Sequence, residues 1–355
     1  MRADELEMLR RMWFPVARLD DVDDGGPFGG HLLGTRVVVF RDAGGVGVAV
    51  DRCAHRGGRL SNGRIRDGVL ECPYHGWRWR SDGSCALVPS QPGAPPSATL
   101  GSLPTVERFG LVWTCLGDPW SEPPTIPETD RPHERWEMAA GTWFDVACGL
   151  RSITENFRDS SHFAFVHSDT FGDVNPAVPA YTVERDGWRL SWTIQLTFGA
   201  EWAATPDGRP RTSKYRFGET EGADRPTEQM ALHYRFEVPS LAYVFTEHEG
   251  GGCRLVAQAA APTGSDGTAC RVFWFVAAND SFRRRFGPLE TQLEIEAKVF
   301  SEDVPIVEGL DPLEAPLGLD GQSHVRADRY SVAYRRLYAE LIEESRRSTT
   351  VAAGR

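Results

Sequence analysis

At 355 residues the chain exceeds the roughly 250–300 residues over which a single hydrophobic core usually grows, so two domains are expected. Its 41% apolar and 25% charged residues exclude general disorder and a fibrous chain. A formal net charge of -11 argues against a binder of nucleic acid or anionic lipid, both of which need excess Lys and Arg.

The charged start, Met1-Arg-Ala-Asp-Glu, has no apolar h-region after it, and no run approaches the roughly 18 apolar residues of a membrane span. Seven cysteines are odd in number and too sparse for a disulfide framework, which points to a cytoplasmic protein without a membrane partner.

Residues 31–51 alternate apolar runs with turn residues and read as a β-hairpin. Short strands with Gly and Asp turns recur through Leu70, Trp77 to Trp79 and Gly110 to Leu116, so the first third reads as all-β. Inside it, Cys53-Ala-His55 and Cys72-Pro-Tyr-His75 lie on two turns. Two cysteines and two histidines could hold zinc, but zinc sites commonly pair Cys with Cys and His with His. Here each turn supplies one thiolate and one imidazole, which suits a 2Fe-2S cluster with Cys53 and Cys72 on one iron and His55 and His75 on the other. Gly57, Gly58 and Gly76 are expected to let backbone N–H groups approach the sulfurs.

Residues 117–135 hold Pro119, Pro123, Pro124, Pro127 and Pro132 and read as a linker. The expected domains are 1–135 and 136–355. Just beyond, the segment Glu155-Asn-Phe-Arg-Asp-Ser-Ser-His-Phe-Ala-Phe-Val-His167 gathers Asp159, His162 and His167. A helical step from Asp159 to His162 would put both on one face. His167, five positions on, is off that register and marks a bend or helix end. A cluster that delivers single electrons needs an acceptor, and Fe(II) held by two histidines and a carboxylate leaves positions open for O2.

Trp188 to Phe198 alternates at period two, and similar segments at 229–238, 241–247, 253–261 and 270–277 suggest an antiparallel sheet. Trp192, Tyr234, Phe245 and Phe275 are candidate pocket residues on inward strand faces, although an aromatic stripe at period two is more often plain core. His233, His248 and His324 lack ligand-like company, and the other five cysteines read as small buried hydrophobes. Residues 289–309 and 326–346 have helical spacing, so the fold class is α+β.

The turns CxHRGG and CPYHGWRW resemble the Rieske motif of bacterial ring-hydroxylating oxygenases, and most of the chain is similar to Rieske non-heme iron oxygenases. Respiratory Rieske proteins carry a further Cys in each cluster loop, where Gly58 and Tyr74 stand here. Asn156-x-x-Asp159-x-x-His162-x4-His167 resembles the family's mononuclear-iron motif. By that resemblance His162 and His167 bind Fe(II), and Asp159 bridges toward a cluster histidine of a neighbouring subunit. Asp303, in Phe300-Ser-Glu-Asp-Val, is then the third ligand in preference to Glu302, which points about 100° away on a helix.

The resemblance implies an antiparallel, helix-grip-like catalytic domain after the all-β Rieske domain, and a head-to-tail homotrimer that passes electrons between subunits. Electrons would come from NAD(P)H through a separate flavin reductase, with or without a ferredoxin, since the chain itself has no GxGxxG fingerprint. Chain length and the form of the 155–167 segment resemble vanillate O-demethylase-type monooxygenases. The implied activity is O2-dependent hydroxylation or oxidative demethylation of a small-to-medium aromatic or polycyclic substrate. The alternatives are a ring cis-dihydroxylating dioxygenase, or an electron-transfer or ligand-binding protein without oxygenase activity.

Overall fold

A computed structural model describes residues 1–23, 25–91, 97–130, 135–172, 174–198, 228–248 and 251–353. Its N-terminal third is built of short antiparallel strands, because Gly and Asp interrupt each apolar run. One four-stranded sheet takes Phe28–Leu32, Thr35–Asp42, Gly45–Val50 and Ser102–Leu103 in that order. The expected first strand of the hairpin is thus split by Leu33 and Gly34, both with positive φ. A second four-stranded sheet, Arg64–Arg66, Val69–Glu71, Arg78–Trp79 and Cys85–Leu87, carries the second Cys/His turn. The two share a small core of Val38, Phe40, Ala49, Leu60, Leu70, Trp79, Val88 and Leu100, with Cys53 and Cys72 at its edge.

The catalytic half is one antiparallel sheet in the order Trp136–Ala140, Cys270–Asn279, Gly252–Pro262, Leu241–His248, Glu228–Glu237, Arg189–Phe198 and Glu184–Asp186, with Phe144–Val146 also beside Cys270–Asn279. Because paired residues of antiparallel strands point the same way, register defines two faces. Trp192, Tyr234, Val244, Val256 and Val276 form one row. This face takes the helices: Tyr330 of Arg329–Ala353 stacks on Trp192, and Phe300 of Leu289–Val307 packs on Trp274. The opposite face, with Phe245, Leu255 and Phe275, receives the N-terminal part, where Phe109 stacks on Phe275.

Phe245 and Phe275 therefore point away from the helix-covered face. Period-two alternation reports that a face is buried but not what covers it. The linker is anchored rather than loose over its described residues: Ile126 is buried, Trp120 packs edge-on against Trp188, and Tyr243 donates to Glu128 at 2.7 Å.

Arg151 is buried where the first helix, Ala3–Arg10, meets the catalytic half. It pairs with Glu5 and with Glu314 at 3.0 Å, and donates to the Ala315 carbonyl at 2.6 Å. Removing one partner of a buried ion pair strands the others, at a cost of about 3 kcal/mol or more. Arg151→Ala is expected to lower unfolding stability by that amount in urea titrations, with little change in the denaturant slope.

Candidate active site and metal centres

The two Cys/His turns close in the same way. Gly57 N–H donates to the Cys53 carbonyl at 2.9 Å and Gly76 N–H to the Cys72 carbonyl at 3.0 Å, with both glycines at positive φ. A side chain would strain either turn. Those two N–H groups close the turns, and within the first turn the His55 backbone N–H reaches the Cys53 sulfur. Gly58 acts differently: a Cβ there would lie 3.2 Å from the Cys72 sulfur. The thiols are buried at 2% exposure and form no disulfide, whereas His75 is exposed.

The rings of His55 and His75 meet edge to face with centroids 4.7 Å apart, and His55 stacks flat on Trp77 at 4.5 Å. His55 Nδ1 is buried without a hydrogen-bond partner. Two inward thiols, an orphaned imidazole nitrogen and an outward imidazole fit a cluster whose histidine edge faces solvent.

The second constellation grows from a broken helical segment. The helix Leu150–Asn156 is oriented by Glu155, whose carboxylate takes two hydrogen bonds from the buried Arg335 of the C-terminal helix, at 2.6 and 2.8 Å. The chain then leaves helical geometry. Asp159 is extended (φ -84°, ψ 108°) and caps the next turn by accepting from the Ser161 N–H at 2.7 Å. The expected helical step from Asp159 to His162 is therefore replaced by an N-cap, which still leaves the carboxylate 3.8 Å from His162 Nδ1. Burial pushes the Asp159 carboxyl up, but contacts with His162 and Ser161 outweigh it and hold it below the usual range.

His167 falls at the expected break, between Phe163–Val166 and Ser168–Phe171. That bend turns its ring back, so that His162 Nε2 and His167 Nε2 lie 3.1 Å apart.

Asp303, on Leu289–Val307, completes the group: its Oδ1 is 3.5 Å from His162 Nε2 and 3.4 Å from His167 Nε2. The three donor atoms lie within 4.8 Å of one another, the one such His/Cys/Asp/Glu group among the described residues. Asp303 is 5% exposed, and its Oδ1 has no hydrogen-bond donor. A buried carboxylate oxygen facing two imidazole nitrogens is costly by itself and fits a divalent cation.

Glu302 has a task that its sequence neighbourhood did not reveal. Its Oε2 lies 2.9 Å from His167 Nδ1, and its Oε1 accepts from the Thr170 hydroxyl at 2.6 Å. The neighbouring carboxylate on the helix thus fixes the far nitrogen of His167 and leaves Nε2 facing His162 and Asp303. Burial works against protonation of His167, but Asp303 and Glu302 outweigh it and raise its pKa.

Beside the three donors lies an apolar cavity walled by Phe163, Phe171, Leu232, Val256, Ile295 and Phe300. Of the strand candidates Tyr234 lines it, whereas Trp192 is sandwiched beneath the C-terminal helix, between Tyr234 and Tyr330. Polar lining groups are mostly paired: Tyr234 with the Ser160 hydroxyl at 2.9 Å and Arg254 with Glu296. Arg158, from the 155–167 segment itself, also lines it. Outside the three-donor group, His233 contacts Thr193, His248 contacts Thr246 and His324 lies near Asp328.

Glu302→Gln keeps the size of the side chain and removes the charge that polarises His167. It is expected to weaken Fe(II) retention about 10- to 100-fold in competition with a chelator, with the cluster's visible absorption unchanged.

Comparison with known proteins bears on both centres. The Rieske [2Fe-2S] domain family matches residues 12–106, and the vanillate O-demethylase oxygenase C-terminal domain family matches residues 146–344. Methylxanthine N1-demethylase NdmA of Pseudomonas putida is 29% identical over 350 residues, covering 96% of this chain and 91% of that protein. The solved structure of NdmA with caffeine superposes with a TM-score of 0.75 at 25% identity, over 96% and 93% of the two chains. Oxidoreductase NdmD of P. putida is 40% identical over 118 residues, 32% of this chain and 20% of that protein. The chain belongs to the Rieske non-heme iron oxygenases of the vanillate O-demethylase type, enzymes that combine a 2Fe-2S cluster with a mononuclear iron.

Proposed function

We propose that this chain is a demethylating terminal oxygenase, which removes an N- or O-methyl group from an aromatic or polycyclic substrate at the expense of O2. The observation that carries this reading is the floor of the apolar cavity, where His162, His167 and Asp303 converge on one point. The similarity to a methylxanthine demethylase over nearly the whole chain supports it.

In this reading residues 1–135 carry the cluster and residues 136–355 the substrate. Cys53, Cys72, His55 and His75 hold the cluster, and His162, His167 and Asp303 hold Fe(II). When bound, the two centres supply single-electron transfer and O2 reduction respectively. The chain's own residues do the rest. His75 presents the exposed edge of the cluster site, and Asp159 holds and polarises His162. Glu302 fixes His167, and the phenylalanine walls orient the substrate and keep water from the reacting methyl group.

The chain takes electrons from a separate NAD(P)H-dependent reductase, directly or through a ferredoxin, in the cytoplasm. The stretch shared with an oxidoreductase supports a partner of that kind.

Two large apolar side chains stand in solvent at the two centres: Tyr74, 62% exposed, next to His75, and Phe165, 72% exposed, between His162 and His167. A head-to-tail homotrimer would cover both, because a heterologous contact that closes pairs one subunit's cluster edge with the next subunit's iron segment.

His162→Ala is expected to abolish substrate-dependent O2 uptake and formaldehyde release while the cluster's visible spectrum persists. Unchanged activity would return the chain to the electron carriers. Phe165→Glu is expected to shift sedimentation from trimer to monomer and to remove turnover while both metals stay bound.

A further inference from the structure

Arg151 stands between two acids that reach for the same nitrogen. Its Nη1 meets the Glu5 carboxylate of the first helix and, at 3.0 Å, Oε1 of Glu314 from the irregular stretch 309–325. Glu5 and Arg151 are 3% and 6% exposed, and the Glu314 side chain is 22% exposed. A Cβ on Gly149 would fall inside the Glu314 carboxylate, so this acid packs directly on backbone.

The other groups that face Glu314 do not balance it. Tyr334 and Tyr338 of the C-terminal helix are neutral, as are the buried Cys148 and Cys270. A further acid, Glu308, lies near Cys148 and accepts from the Ala147 N–H at 2.9 Å. The Met1 amine favours an ionised Glu314 less than Arg151 does. Two carboxylates on one guanidinium leave one negative charge uncompensated, and a proton on one of them removes it. Burial pushes the Glu314 carboxyl up to about 7, with Arg151 opposing the rise and Glu5 adding to it.

Glu314 is also part of a clasp. The Gly149 N–H donates to the Leu313 carbonyl at 2.9 Å, and the Arg151 N–H to both Glu314 oxygens at 3.3 and 3.2 Å. Arg151 Nε donates to the Ala315 carbonyl at 2.6 Å, and the Ala315 N–H to the Ser152 hydroxyl at 2.8 Å. These bonds tie residues 313–315 to the start of the helix Leu150–Asn156. Farther along, the same stretch supplies Gln322, Ser323 and His324 to a cleft that Asp159 and His162 also line.

We propose that Glu314 is a pH-sensitive latch, closed while its carboxyl holds a proton and loosened when the proton leaves near neutrality. A neutral Glu314 still accepts from the Arg151 N–H and leaves the guanidinium to Glu5. An ionised one is drawn toward water, and the clasp opens to admit it. Because its value in the fold lies above the ordinary 4.5, the stability it contributes is fully present below about pH 4.5 and is lost as the pH rises toward 7. The latch is independent of what the apolar cavity binds.

The test uses the holoenzyme. Infrared difference spectra between about pH 6 and about pH 8.5 bracket the transition. The parent is expected to show a neutral carboxylic C=O band at the lower pH that disappears at the higher, and Glu314→Gln is expected to lack it. In Glu5→Gln the band disappears at lower pH, because Arg151 then serves one acid.

Glutamine mimics the protonated acid at every pH. The melting temperature of Glu314→Gln relative to the parent is therefore expected to gain about 5 °C between about pH 5 and about pH 8.5. Hydrogen exchange, corrected for its intrinsic pH dependence, is expected to rise several-fold over residues 147–153 and 311–316 of the parent across that range. In Glu314→Gln it stays level, and the cluster-bearing third does not change in either protein.

The band and the exchange of the parent need no variant to fold. No band lost between the two pH values, a band that survives in Glu314→Gln, or a melting-temperature difference that is flat with pH would overturn the proton on Glu314. Level exchange over both segments of the parent would overturn the latch.

Discussion

Much of this structure follows from one electrostatic arrangement, a buried carboxylate oxygen of Asp303 held 3.4 and 3.5 Å from two imidazole nitrogens that are themselves 3.1 Å apart. Lone pairs gathered so closely in a low-dielectric interior need a positive charge among them. Each supporting residue holds this group in place. Glu302 fixes the outer nitrogen of His167, Asp159 caps the turn that carries His162, and Arg335 secures Glu155 in the preceding helix. The helix bearing Asp303 and Glu302 packs on the sheet through Phe300 and Trp274. Two adjacent acids on one helix therefore serve opposite sides of the same histidine.

The cluster loops solve a different problem with little material. Their glycines close two tight turns, so the thiols lie inward against a small apolar core while the imidazoles lie toward the outside. In the proposed reading the sulfurs would be protected there, and the histidines would stand where an electron can be handed on. Elsewhere the broken 155–167 segment carries His162 and His167 at the wall of an apolar cavity. Of the four buried arginines among the described residues three are paired with carboxylates, Arg151 with Glu5, Arg254 with Glu296 and Arg335 with Glu155, whereas Arg158 meets only the Phe157 carbonyl.

Local chemistry was readable where residue type and short spacing carry it. The Cys/His pairs on their two turns, the break at His167 and the strands from Trp188 onward lie in the structure as their patterns imply, because turns and a period of two are local properties. Two expectations met their limits for physical reasons. Asp159 caps rather than enters a helix, because its short carboxylate competes for the Ser161 N–H. Phe245 and Phe275 share the alternation of Tyr234 but not its face, since burial on both sides of the sheet gives the same pattern.

The sequence by itself determined the two kinds of metal chemistry, the α+β class and the family resemblance, all of which rest on ligand types a few residues apart. Only the tertiary structure decided that Glu302, the acid set aside in favour of Asp303, orients His167, and that Arg158 is buried in the cavity wall with no carboxylate beside it among the described residues. These depend on contacts between segments more than a hundred residues apart, or on the absence of one. Distances of that kind arise from packing of the whole chain and leave no local pattern.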